Sequence, residues 1–421
     1  MGKYGCNDIK EDKMTHKQAA IRIIKQLRQV GFEALLAGGC VRDMLLKRKP
    51  KDFDVATNAR PDDVTKLFRR TLKIGAKFGV VIVLIDDIQI EVATFRTESG
   101  YADGRHPANV HFSNSKEDAA RRDFTINAMF FDPVAKEVID YYAGQTDLKK
   151  KIIRTVGKPS ERFGEDYLRM LRAVRFSTQL SFSIESRTKA AICEQANNII
   201  KISGERIAAE LEGILISPNR AQGLKLLLET SLAEFIFPGF CSSCCTSAFA
   251  VRTLAYLPKK IDLALGLAAF FSGFETNFAM QKCELLKLSR NQQKKIEFLL
   301  DNRGRLLTDL PLSKLKMLLS EKYFEDLFSF QKAIQKASNQ STAPLGRLRK
   351  KIKQLKGIEL RPKPILNGHD LMALGAVPGV LLGKLSKEMY IAQLEGKFES
   401  TEQAKHWVTN WLHHHKLEES K

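Results

Sequence analysis

The chain changes character near residue 155. Up to that point short strand-like and helix-like segments alternate, and beyond about residue 160 the pattern is helical almost to Lys421. Such a chain must gather its strands into an N-terminal mixed domain and bury its remaining apolar surface between helices. Within the first part, residues 15–30 read as an amphipathic helix with Ile21, Ile24 and Leu27 at helical spacing. Glu33–Ala37 reads as a strand, Val41–Lys47 as a helix, Phe53–Ala56 as a strand, and Asp62–Phe68 as a helix behind Pro61. Val80–Ile85 and Ile88–Phe95 are β-rich and separated by Asp86-Asp87, which predicts a hairpin. Residues 96–122 are polar, carry Gly100, Gly104 and Pro107, and read as a long loop of the kind that often has a function.

At 421 residues the chain exceeds what one hydrophobic core usually holds, so several domains are expected. A 44% hydrophobic content without an apolar run of membrane-spanning length describes a soluble globular chain, with no membrane partner and no obligate protein partner inferred. The formal charge of +20, from 68 basic and 48 acidic side chains, favours a polyanionic partner. Met1 to Asp12 is polar and lacks the apolar stretch of a secretory leader. Seven mostly scattered cysteines read as reduced thiols, so a cytoplasmic location is expected. Cys241, Cys244 and Cys245 lie close together, but with no second Cys or His pair at suitable spacing they read as a chance cluster rather than a zinc site. From Gln331 to Lys356 there is no acidic residue. That run, which includes Lys350 and Lys351, is either a solvated face or a track for an RNA backbone.

The chemistry concentrates in the first domain. Gly38-Gly39-Cys40-Val41-Arg42-Asp43 falls between an expected strand and an expected helix. Two glycines there let backbone approach a phosphate, and Arg42 in the first helical turn adds a charge-assisted contact. Ten residues further on, Asp52-Phe53-Asp54 opens an expected strand, where residues i and i+2 share a face. Two adjacent carboxylates repel unless cations hold them, and such a pair suits magnesium ions in an in-line attack on an α-phosphate. In Ile88-Gln89-Ile90-Glu91-Val92 the alternation turns Glu91 off the core face, making it a candidate third carboxylate. Asp123 is the other candidate, read also as a capping or arginine-orienting residue.

These motifs resemble those of class II tRNA nucleotidyltransferases and bacterial poly(A) polymerases. Gly38 to Asp43 followed by Asp52-Phe53-Asp54-Val55-Ala56-Thr57 is similar to the family's catalytic motif. Arg96 to Phe112, with Asp103-Gly104-Arg105 and Pro107, is similar to its flexible-loop motif. Arg121-Arg122-Asp123-Phe124-Thr125-Ile126-Asn127-Ala128 and Glu165-Asp166-Tyr167-Leu168-Arg169, with Arg172 and Arg175, supply two more blocks in the family's order. Weaker similarity continues at Asn367-Gly368-His369-Asp370-Leu371, Pro378-Gly379 and Gln393-Leu394-Glu395-Gly396. The resemblance implies an α+β chain: a polymerase-β-like nucleotidyltransferase head over residues 1–155, then all-α neck (156–215), body (216–356) and tail (357–421).

If residues 166–175 are one helix, Asp166, Arg169, Arg172 and Arg175 advance by three and form its polar half, opposite Met170, Leu171 and Val174. A stripe of arginines calls for anions across it. Asp166 as acceptor and Arg169 as donor match the edge of C or A, whereas U and G lack an amine at the corresponding place. The resemblance implies this base-selecting role for Asp166 and Arg169, with Arg122, Arg172 and Arg175 on the triphosphate or base. It further implies two Mg2+ ions, ATP and CTP as substrates, and CCA addition to the 3′ end of tRNA. Poly(A) synthesis on other RNAs is the alternative within the family. A non-catalytic RNA-binding protein is the alternative outside it, disfavoured because both Asp52 and Asp54 are present.

Overall fold

The computed structural model describes residues 14–73, 79–101, 107–240, 245–355, 357 and 359–418. The chain divides into two compact units, Met1–Ser242 and Ser243–Lys421. The boundary expected at residue 155 therefore falls inside the first unit. The Asp103-Gly104-Arg105 motif, Cys241, Cys244 and the polar segment Met1 to Asp12 lie outside the described residues.

The first unit opens with α1 (His16–Gln29), started by a reciprocal cap in which the Thr15 hydroxyl accepts from the Gln18 N–H and the Gln18 side chain accepts from the Thr15 N–H. Its buried stripe is Ala19, Ala20, Ile23, Ile24 and Leu27, so Ile23 takes the core position the sequence reading gives to Ile21. There follow β1 (Ala34–Ala37), α2 (Gly39–Leu45), β2 (Asp54–Thr57), α3 (Pro61–Leu67), β3 (Thr71–Leu72), β4 (Val80–Ile85), β5 (Ile88–Thr94), β6 (Arg96–Tyr101), β7 (Pro107–Phe112), α4 (Ser115–Ala120), β8 (Met129–Asp132) and β9 (Glu137–Asp140). Seven of these strands form one sheet in the order β3-β4-β5-β2-β1-β8-β9. Strand β1 lies inside the sheet between β2 and β8 and is wholly buried, as its unbroken Ala-Leu-Leu-Ala run requires. The β2–β5 pair is parallel, with Val55 opposite Val92, and β4–β5 is the expected hairpin, turning at Asp86 with φ of 53°.

Most of the described residues between 96 and 122 belong to regular elements, where the sequence reads as a long loop. Strands β6 and β7 pair with each other as an antiparallel ribbon from Arg96↔Phe112 to Tyr101↔Pro107, and α4 follows behind an Asn114 cap. The ribbon stands outside the main sheet, and Arg96 and Glu98 of β6 are enclosed by ion pairs with each other and with Arg121 rather than by apolar neighbours, so the sequence lacks the apolar alternation that marks a strand. The unit continues with α5 (Gly144–Lys150), β10 (Ile152–Ile153), α6 (Pro159–Glu165), α7 (Leu168–Leu180), β11 (Ser183–Ile184), α8 (Ser186–Gln195), α9 (Gly204–Leu215), α10 (Arg220–Glu229) and α11 (Leu232–Ile236). Parallel pairing of β10 with β11 ties the helices to the sheet-bearing part. Helix α7 packs on α9 and α10.

The second unit is helical: α12 (Cys245–Tyr256), α13 (Leu263–Phe270), α14 (Thr276–Leu285), α15 (Arg290–Asp301), α16 (Leu312–Leu319), α17 (Phe324–Ala337), α18 (Ala343–Gln354), α19 (Gly368–Ala373), α20 (Val380–Leu394) and α21 (Thr401–Glu418). Helix α13 is buried along its whole length, in keeping with its uninterrupted apolar sequence. A separate core formed by Leu371, Leu385, Met389, Phe398, Val408 and Trp411 holds the last three helices together. His413 to His415 belong to α21, where the His415 ring stacks on Trp411. No helix among the described residues is long and apolar enough to cross a membrane.

Candidate active site

Asp54 is the first residue of β2, and the parallel register places Glu91 of β5 beside it. Asp52 lies two residues earlier, just before the strand rather than in it. The alternation survives all the same, since Phe53 is buried between the exposed Asp52 and the half-buried Asp54. Burial first, then the charge of Glu91, then that of Asp52, push the Asp54 carboxyl up to about 6, against a lowering influence from Arg122. Asp54 and Glu91 line one cavity, Asp52 acts on Asp54 through its charge, and among the described residues none of the three forms an ion pair. No group of three or more His, Cys, Asp or Glu side chains among the described residues stands at metal-ligand spacing.

Asp123 has a different job. Its Oδ2 accepts from Arg172 Nε at 2.8 Å and lies 2.6 Å from Arg172 Nη2, while Oδ1 accepts from the Phe124 N–H and from Asn127 Nδ2. Although burial opposes it, the Arg172 guanidinium and the Asn127 amide hold the Asp123 carboxyl down at about 2. Its charge is not among those that perturb Asp54. Of the two candidates for a third carboxylate, Glu91 stands with the aspartates and Asp123 orients an arginine.

Gly38 precedes α2 with φ of 71°, a conformation in which a side chain is strained. A Cβ at Gly38 would also stand 2.8 Å from Arg122 Nη1. The glycine therefore serves the close approach of Arg122, which is anchored on Asp118 and donates to the Asn127 carbonyl. Arg42 is nearly buried, donating to Asn127 Oδ1 at 2.7 Å and to Asp43. Its guanidinium also lies over the Phe176 ring.

Asp166 is not on a helix with the arginines. It occupies an extended bend (φ −152°, ψ 105°) between α6 and α7. Its Oδ1 accepts from the Leu168 N–H at 3.0 Å, and its Oδ2 accepts from Arg206 Nη2 at 2.7 Å. The Asp166 carbonyl still accepts from the Arg169 N–H, so the two residues remain one turn apart. Arg169 donates to Glu165, to the Arg162 carbonyl and to the Arg121 carbonyl.

The anions expected across the arginine stripe are carboxylates of the protein itself: Glu165 for Arg169, Asp123 for Arg172 and Glu210 for Arg175. Arg175 also donates to Gln179 and lies over Phe176, and it does not line the cavity. In this structure the partner of Arg175 is Glu210, where the resemblance implies the triphosphate or base.

Gly38, Gly39, Arg42, Asp54, Glu91, Arg122, Asp123, Asp166, Arg169 and Arg172 all line one cavity of about 540 Å³. The sequence reading misses four more of its residues as charge or shape contributors: Arg96, Arg121, Phe176 and Arg206. Phe176 carried no signal beyond an apolar helical position. Arg206 sits in Gly204-Glu205-Arg206, with nothing in its spacing to separate it from a solvated helix face. Lys350 and Lys351 lie elsewhere, on α18 in the second unit, both exposed, with Lys351 3.7 Å from Asp309. Cys245, the described member of the cysteine trio, is a free, exposed thiol.

The chain is similar to known proteins in both sequence and fold. Residues 34–154 match the family model of the Poly A polymerase head domain. Residues 181–244 match the model described as the probable RNA and SrmB-binding site of polymerase A. The CCA-adding enzyme of Bacillus subtilis is 46% identical over 222 residues, 52% of this chain and 55% of that enzyme. That of Lactobacillus johnsonii is 45% identical over 223 residues, 53% and 56% of the two chains. The chain thus aligns with about half the length of the curated relatives it matches. The structural likeness runs further. A crystal structure of the Bacillus stearothermophilus CCA-adding enzyme in complex with CTP superposes with a TM-score of 0.79 at 29% identity, over 96% of this chain and 100% of that one. The Thermotoga maritima CCA-adding enzyme complexed with tRNA shares the fold, with a TM-score of 0.68 at 22% identity over 95% and 97% of the chains. The architecture is that expected from the sequence, a polymerase-β-like head followed by helices.

Proposed function

We propose that this chain, which carries a poly A polymerase head domain and is similar to CCA-adding enzymes, adds CMP and AMP from CTP and ATP to the 3′ end of tRNA without a nucleic-acid template. One observation carries the reading. A single cavity is lined by the carboxylates Asp54 and Glu91, by several arginines, and by the Asp166–Arg169 pair. Those are the parts that nucleotidyl transfer with protein-directed base choice requires.

In the proposed reaction the RNA 3′-hydroxyl oxygen attacks the α-phosphorus, the bond to the β-phosphate breaks, and pyrophosphate leaves. The hydroxyl proton passes to solvent or to a carboxylate. The nucleotidyltransferase family generally uses divalent metals. We assign Asp52 and Asp54 as the residues that would hold two Mg2+ ions, supplying charge to activate the hydroxyl and steady the leaving pyrophosphate. The donor set fits. It is all hard oxygen, burial and then the charges of Glu91 and Asp52 raise Asp54 to about 6, and magnesium typically takes one or two carboxylates and completes its shell with water and phosphate. Glu91 stands as the third carboxylate beside Asp54.

Arg42 and Arg122, held rigidly by Asn127 and Asp118, present charge to the triphosphate at no further ordering cost. Arg172, fixed by Asp123, extends that surface. Asp166 accepts the exocyclic amine of C or A while Arg169 donates to the adjacent acceptor. UTP and GTP offer no amine there and turn a carbonyl oxygen toward that carboxylate, so they forgo the hydrogen bond that C and A make. Head (1–155), neck (156–215), body (216–356) and tail (357–421) divide the labour, the last two carrying RNA. The same reading puts the chain in the cytoplasm.

The test is sequencing of RNA ends after purified protein is incubated with tRNA lacking its terminus, ATP and CTP. Ends completed as CCA are expected. Runs of A without C would instead make the chain a poly(A) polymerase, and unchanged ends would make it a binding protein.

A further inference from the structure

Asp166 is the acceptor in the proposed base choice, yet no helix holds it. Its backbone is extended, between the end of α6 and the start of α7. A carboxylate on such a bend rotates freely about its side-chain bonds unless something fixes it, and a freely rotating acceptor discriminates poorly between bases. Two donors fix this one, the Leu168 N–H on Oδ1 and Arg206 Nη2 on Oδ2. The first is local and arrives with the turn itself. The second comes from 40 residues away, on α9, and lines the same cavity.

Four residues further along α9, Glu210 faces α7. It accepts from Arg175 Nε at 2.6 Å and stands 3.9 Å from Arg172 Nη1. Positions i and i+4 share a helix face, so α9 presents one cation and one anion to the Asp166 bend and to α7. Each oxygen of Asp166 has one lone pair engaged and one remaining, so anchoring does not preclude acceptance from a base.

We propose that Arg206 is a positioning residue for nucleotide choice: from α9 it locks the Asp166 carboxylate in the orientation that accepts the amine of C or A. This rests on the base-selecting reading of Asp166 given above. Arg206 touches the carboxylate, not the reacting atoms. Its removal leaves the phosphate-facing arginines in place and frees only the base-reading oxygen.

Equilibrium binding of CTP, ATP, UTP and GTP in magnesium, without RNA, to the full chain and to its Arg206→Ala and Arg206→Lys variants tests this, with thermal melting as the folding control. Arg206→Ala should weaken CTP and ATP about tenfold and UTP and GTP much less, the scale of one lost charge-assisted hydrogen bond. Arg206→Lys, which keeps a donor in reach, should recover most of the preference. Equal weakening of all four would make Arg206 a phosphate contact and overturn the proposal. So would tighter CTP binding in Arg206→Ala, which would make Arg206 a competitor for Asp166. Unchanged discrimination in both variants would overturn it too. If the unmodified protein itself binds all four alike, it is the reading of Asp166 as base selector that falls.

Discussion

Asp54 must carry charge in a place that penalises charge. Its carboxyl is raised to about 6, and an acid raised in the folded state destabilises the fold wherever it is ionised. The penalty is present in full above pH 6 and vanishes as pH falls toward the ordinary carboxylate value. Without divalent cations, Asp54→Asn should therefore stabilise the protein at pH 8 by roughly 2–3 kcal/mol, with the gain fading by about pH 4. The same variant should lose nucleotide incorporation. Thermal melts across pH check this, and an unchanged melting temperature at pH 8 would contradict the crowded-carboxylate account. Asp123 has the opposite sign. Held at about 2, it stabilises the fold in full above the usual carboxylate range and loses that contribution progressively as pH falls from there through about 2. Asp123→Asn should cost about 2 kcal/mol at pH 7, read from the urea midpoint. At the cavity, Asp166→Ala should lower kcat/KM for CTP and ATP by about one to two decades and for UTP and GTP far less. Arg42→Ala should weaken all four, because every triphosphate presents the same phosphates. Equal slowing of all four by Asp166→Ala would reduce that residue to a structural role.

Among the elements, α7 bears the most, because its residues serve the cavity on one side and pack on α9 and α10 on the other. That packing is close enough to need glycine. A Cβ at Gly223 of α10 would stand 2.7 Å from the Thr178 hydroxyl of α7 and closer still to Ile214 of α9. Gly223→Ala gains at most about 1 kcal/mol of helix propensity, whereas overpacking costs about 1–3 kcal/mol. Net destabilisation is expected, and a variant melting at or above the parent would show the contact to be soft. The β6–β7 ribbon teaches the reverse lesson about legibility. Its strands pair only with each other. Arg96 and Glu98 are held by ion pairs and hydrogen bonds that reach Asp118 and Arg121 rather than by an apolar face, so polar residues occupy positions where a buried sheet would demand apolar ones. Sheet strands such as β4 and β5, which bury a face, announce themselves and match the sequence reading almost to the residue.

At the scale of the whole molecule, the excess of positive charge predicts binding to RNA that weakens steeply with salt. If α18 follows an RNA backbone, Lys350→Glu should flatten that slope by one to two counterions, whereas Lys351, already near Asp309, should contribute less. An unchanged slope for Lys350→Glu would leave α18 a solvated face. The sequence by itself determined the features that depend on neighbours along the chain. These are the mixed head followed by helices, the Gly38 turn, the two aspartates around a buried Phe53, and the Asp86 hairpin, all set by local sterics and periodicity. Tertiary structure alone decided how each charge is used. Asp123 and Glu91 look alike in sequence, but one meets Arg172 and the other meets Asp54. Arg172 and Arg175 look alike in their stripe, but only Arg172 reaches the cavity, because Glu210 on a distant helix holds Arg175 away. A charge acquires its role from the charges brought beside it, and in this fold those arrive from 35 to 49 residues away.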